Sequence, residues 1–121
     1  MGEQNLVVRE IHGVTVVDFS GLTILDQSTV EIISQRLNEL VEEKDRRRLL
    51  LEFSEVKFLS SSLLGALISL QKKIAERNGR IVITSLRPEL QRVFKIAKVD
   101  RLFEFYDDEE PGLNSFGVYM A

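Results

Sequence analysis

The chain has no cysteine, a single histidine and only two prolines in 121 residues. Without cysteine there is no disulfide, no thiol nucleophile and no thiolate metal site, a composition that suits a reducing compartment. His12 is alone, so neither a multi-imidazole zinc site nor a Ser–His relay has its parts, and its place beside Gly13 makes it a surface turn residue. Neither G-x-G-x-x-G nor G-x-x-x-x-G-K-S/T occurs, so no phosphate-cradling loop is written in the sequence. The reading is of a protein that is not an enzyme and holds neither metal nor cofactor. No apolar run approaches the roughly 20 residues of a membrane span. The opening MGEQNLVVRE lacks the basic and apolar regions of a secretory signal, and Leu6 stands where a myristoylation motif at Gly2 wants Ser or Thr. A cytoplasmic protein without membrane insertion is expected. The formal net charge of −3 supplies no basic field for nucleic acid. Arg46, Arg47 and Arg48 follow Glu42, Glu43 and Asp45 and read as a solvated helix end.

What is present is an ordinary domain's composition, 44% hydrophobic and 29% charged, with enough chain to bury a core unaided. Residues 6–11 and 14–19 are β-branched-rich runs separated by His12-Gly13, which predicts a hairpin. From Asp26 the period becomes helical: Val30, Ile33, Leu37, Leu40 and Val41 form one stripe, with Asp26 or Ser28 as cap. Residues 49–53, LLLEF, read as a strand buried on both faces in the middle of a sheet. A second helix is predicted over 62–78 with Gly79 as a left-handed cap, then a strand over 80–84. Pro88 opens a third helix carrying Leu90, Val93, Phe94 and Ala97, and residues 102–106 form a last short strand or a docked segment. The order is β-β-α-β-α-β-α: an α/β domain over residues 5–106, one sheet of about four to five strands covered by helices. Residues 107–121 begin acidic and hold no period; they are either unstructured or docked through Phe116, Val118 and Tyr119.

The second helix opens on three serines, Ser60, Ser61 and Ser62, although one N-cap needs only one, worth about 1 kcal/mol. On a helical wheel Leu63, Leu67, Leu70 and Ile74 form the core face, and Leu64, Ile68 and Ala75 a second apolar stripe about 110° away. Ser62, Gly65 and Ser69 make a third strip of small residues only. Two readings stand side by side: the small strip lets another backbone pack closely, or Leu64 and Ile68 are partly exposed and present a partner surface. A phosphate on a serine here would add roughly −1.5 to −2 charge at a helix N-terminus that tolerates it, while an apolar partner docking nearby would not.

The segment LLLEFSEVKFLSSSLLGALISL, residues 49–70, resembles the STAS family, the fold of bacterial anti-sigma-factor antagonists. In that family a strand leads through an apolar turn into Asp-Ser-Ser-Gly-Leu-Gly and the second helix. Ser60 stands at the Asp, Ser61 and Ser62 match the serines, Leu63 replaces the first Gly, and Leu64-Gly65 match the close. GLTILDQSTVEI, residues 21–32, is similar to the family's Gly-x-Leu-Asp loop through Gly21, Leu25, Asp26 and Thr29, with two extra residues. LRPELQRVFKIAKVDRLFEFY, residues 86–106, resembles its Pro-opened final helix and Phe-rich close. The resemblance implies a STAS-like sheet of mixed strand orientation. It also implies an interaction module that binds an anti-sigma factor of the serine-kinase type, switched by phosphorylation at Ser62, with Ser61 next in line. The partner surface it implies is Asp26, Ser60, Leu63, Leu64 and Ile68. Ser60 and Leu63 depart from the motif, which keeps open a phosphorylation-independent STAS scaffold or transporter-associated regulator, and a sensor of a small ligand or nucleotide at the serine turn.

Overall fold

Two left-handed residues make the first reversal of the chain. His12 and Gly13 have φ of +49° and +88°, the pair of positive values a two-residue hairpin needs to follow the strand twist. They join β1 (Val7–Ile11) to β2 (Val14–Asp18), antiparallel with Ile11 opposite Val14. The computed structural model describes residues 6–19 and 27–119. Three crossovers follow: α1 (Gln27–Glu42) leads to β3 (Arg48–Glu52), α2 (Ser61–Glu76) to β4 (Arg80–Thr84), and α3 (Pro88–Ile96) with a 3-10 turn (Asp100–Leu102) to β5 (Glu104–Tyr106). A short α4 (Glu109–Asn114) comes last. The sheet order is β1-β2-β3-β4-β5, and every pair after the hairpin is parallel. The pattern predicts one sheet of about four to five strands covered by helices and the resemblance a mixed orientation; the sheet has five strands and is mixed.

Alternation along the central strand divides the interior in two. Leu49, Leu51 and Phe53 join Val30 and Ile33 of α1, Leu63 and Leu67 of α2, and Leu90 and Phe94 of α3 in the larger cluster. Phe94 packs edge-on against Phe103 and Phe105, with centroids 5.5 and 5.3 Å away, a preferred aromatic geometry. Leu50 points the other way, into a smaller cluster with Val14, Val16, Val82, Leu113 and Val118. The apolar run of β3 thus reflects a strand covered on both faces.

Residues 109–118 supply that second cover. Pro111 falls in the first turn of α4, where its missing N–H is no loss. Gly112 lets the helix approach: a Cβ there would lie 2.5 Å from Thr84 Cγ2 and 3.0 Å from Leu50 Cδ1. Arg9 pairs with Glu109 at 2.9 Å, and Arg80 donates to the Ser115 carbonyl at 3.0 Å while lying 4.4 Å above the Phe116 ring. Val118 is buried, Phe116 half-buried and Tyr119 exposed.

The end of α2 differs from expectation by one residue. Asn78, at φ +62°, takes the left-handed position assigned to Gly79. The Gly79 N–H then reaches back to the Ile74 carbonyl at 2.8 Å and that of Asn78 to Ala75 at 3.0 Å, the paired bonds of a Schellman close. Gly79 is required for a different reason. A Cβ on it would sit 2.5 Å from the Arg47 carbonyl oxygen, the acceptor that Arg80 N–H uses at 2.8 Å to start the β3–β4 ladder.

Candidate functional site

From the end of β3 the chain is drawn along the sheet's rim by buried anchors. Phe53 N–H donates to the Thr84 carbonyl at 3.0 Å, Val56 is fully buried and Leu59 packs on the core, while Phe58 between them stays 60% exposed. Ser60 is then in extended conformation, with φ −78° and ψ 161°, and its Oγ accepts the Leu63 N–H at 3.1 Å. The Ser60 carbonyl accepts from Leu64 N–H at 3.0 Å and closes the first turn. Ser60 is therefore the N-cap, and α2 begins at Ser61, one residue before the predicted start. Ser61 and Ser62 lie in the first turn, exposed, with no side-chain hydrogen bond to any described residue. Removing the cap by Ser60→Ala is expected to cost about 1 kcal/mol in urea unfolding, whereas Ser61→Ala and Ser62→Ala stay within about 0.5 kcal/mol.

The faces of α2 sort as the wheel predicts, but their exposure differs. Leu63 is fully buried and Leu64 keeps only 9% of its surface, so both belong to the packing rather than to a docking face. Leu64, although on the second stripe, is part of the larger core cluster. Ile68 on that stripe is half-buried against the core. The opposite flank meets α1, where Lys73 donates to Asn38 at 3.1 Å and pairs with Glu42 at 3.3 Å. Among the described residues no backbone packs on the small-residue strip. Gly65 and Ser69 are exposed, and a Cβ built on Gly65 meets nothing within 4 Å. Beside it, Ser62 and Ala66 face Val30, Glu31, Ser34 and Gln35 of α1 across an open groove of about 490 Å³. Glu31 is the only charged residue lining the groove among those described. Asp26, the loop residue expected near the serines, lies outside the described residues.

Sequence reading missed Glu52. It ends β3 with 8% exposure, and its carboxylate accepts hydrogen bonds from the hydroxyls of Thr84 and, at 3.0 Å, Ser85. A buried carboxylate needs such partners. The signal was there, one acidic residue inside LLLEF, with one donor at the end of the next strand and the other just after it. Among the described residues no group of three or more His, Asp and Glu is placed to hold a metal, and no helix is long and apolar enough to cross a membrane.

The chain matches known proteins in both sequence and fold. Residues 5–111 match the family described as the STAS domain. A Thermotoga neapolitana protein assigned as an anti-sigma factor antagonist, the homolog of TM1081, is 28% identical over 64 residues. That match covers 53% of this chain, which spans 57% of that relative's length. A STAS domain protein of Planctomyces limnophilus superimposes with a TM-score of 0.84 at 23% identity, over 93% of this chain and 98% of that one. SpoIIAA, a Bacillus cell fate determinant solved in its phosphorylated form, gives 0.72 at 17% identity over 92% and 98%. At these identities the two structures establish the fold, and the residue match over 5–111 establishes the family. The chain belongs to the STAS domain family; the proteins it is similar to include anti-sigma-factor antagonists and, over 88% of this chain but 18% of that one, the murine anion transporter Slc26a9.

Proposed function

We propose that this chain is a cytoplasmic interaction module of the anti-sigma-factor-antagonist type. In this reading it binds an anti-sigma factor that is itself a serine kinase, through the start of α2 and the groove beside α1, and phosphorylation at Ser62, or else Ser61, releases it. One observation carries this reading: Ser60 makes the cap, which leaves the Ser61 and Ser62 hydroxyls exposed and without a hydrogen bond among the described residues, at the rim of an open strip. A phosphate on Ser62 would have the first-turn N–H groups and helix dipole of α2 beneath it and the Glu31 carboxylate across the groove. It would leave the core untouched while adding negative charge to the surface a partner meets.

The same groove also favours a second reading. Glu31 opposes a phosphate, and Ser60 and Leu63 depart from the family motif that the kinase reads, which together describe a module that binds its partner constitutively. Phosphopeptide mapping of the protein from its own cells, in growth and under stress, separates the two. Phosphate on Ser62 or Ser61 that changes with condition supports the switch. A well-covered peptide that carries none in either condition assigns the constitutive module instead.

A further inference from the structure

The end of the sheet farthest from the serine turn gathers cations. Arg48 begins β3 in register with Arg80 at the start of β4, and Arg47 precedes it. The first hairpin brings His12 to the same end: a carbon placed on Gly13 would lie 3.7 Å from Arg48 Nη1, so this guanidinium reaches over the turn. The chain after α4 adds Phe116 and Tyr119. Two neighbouring cavities open here, of about 320 and 340 Å³, and Arg48 and Phe116 line both. The first also holds Arg47, Asn78 and Arg80, the second His12 and Tyr119.

Most of these charges are already answered. Arg80 is held by Glu104 at 2.6 Å, a hydrogen bond that raises its pKa and keeps it cationic, and Arg47 by Asp45 at 3.2 Å. Arg48 is the exception. Among the described residues it makes no ion pair and no side-chain hydrogen bond, although it is the guanidinium common to both cavities. Its planar fork suits a phosphate oxygen pair. Beside it the Phe116 ring is fixed under Arg80, and Tyr119, 74% exposed, offers a second aromatic surface. The carboxylates of Asp45 and Glu104 around the rim, and a net charge of −3, oppose a long polyanion but not a single phosphate.

We propose that this pole binds a small phosphorylated ligand carrying a planar ring, with Arg48 on the phosphate, the Asn78 amide beside it, and the ring in the second cavity against Tyr119 and Phe116. This is separate from the serine turn and independent of the antagonist reading.

Phenyl phosphate and inorganic phosphate are the probes, titrated into the whole protein and followed by backbone amide NMR shifts. Phenyl phosphate is expected to saturate shifts at Arg48, Asn78, Phe116 and Gly117. Arg48→Gln weakens it about tenfold, the scale of one lost charged hydrogen-bond set. Tyr119→Ala weakens phenyl phosphate several-fold and leaves inorganic phosphate unchanged, while Arg92→Gln, at an exposed arginine of α3, changes neither. The proposal fails if binding does not saturate, if the shifts centre on the start of α2, or if Arg92→Gln and Arg48→Gln have the same effect. The spectra of the variants report their folding in the same experiment.

Discussion

Leu63→Gly is expected to remove about 3–6 kcal/mol of stability, a large part of the roughly 5–15 kcal/mol a domain has. The substitution would restore the residue that the family motif carries at this position, so a sequence comparison alone predicts a harmless change. The packing predicts the opposite. Leu63 is fully buried in the cluster that joins α2 to the sheet, and truncating such a leucine to alanine costs about 3–5 kcal/mol. Glycine in a helix adds up to about 1 kcal/mol more. With an m-value of about 1–3 kcal/mol per molar urea, the midpoint should fall by more than about 1 M. A loss below about 1 kcal/mol would mean that the segment from Phe58 to Ser62 shifts to fill the cavity, and that leucine here is a passenger rather than part of the core.

If the proposed partner is an anti-sigma factor, Ser62→Asp is expected to weaken that complex by about a hundredfold or more, with the fold intact. An unpaired charge enclosed in an interface costs about 3–5 kcal/mol, and each 1.4 kcal/mol is about tenfold in affinity. In the free protein the same carboxylate sits in the first turn of α2, where the dipole favours it by a few tenths to about 1 kcal/mol. Glu31 across the groove opposes part of that gain, so the melting temperature and circular dichroism should hardly move. Calorimetric titration of wild type, Ser61→Asp and Ser62→Asp reads the outcome. Loss only in Ser61→Asp moves the switch by one residue, and undiminished binding in both variants assigns the constitutive module.

These two variants bracket what a sequence can disclose. Periodicity gave the helices and strands of the first face, because Val30, Ile33 and Leu37 or Leu63, Leu67 and Leu70 repeat the geometry of their own element. It gave β3 as central because both of its faces are apolar. It did not give α4. That helix is six residues long, contains Pro111 and Gly112, and buries Leu113 against side chains from strands far away in the chain. Nor did it give the burial of Leu64, which stands on the second stripe of its helix and still packs into the larger cluster. At the serines it gave the place but not the division of labour. Only the bond from Leu63 N–H to Ser60 Oγ assigns the cap, and thereby leaves the other two hydroxyls without a hydrogen bond among the described residues.

The unequal covers of the sheet also set an order of events at the ribosome. The larger face is sealed by α1, α2 and α3, each made directly between the strands it covers. The other face waits for residues 109–118, and its closing ion pair joins Arg9 to Glu109 across 100 positions of chain. A nascent chain with four strands already paired would still turn Val14, Val16, Leu50 and Val82 toward water. Until residues 109–118 dock, that apolar face stays open to contact.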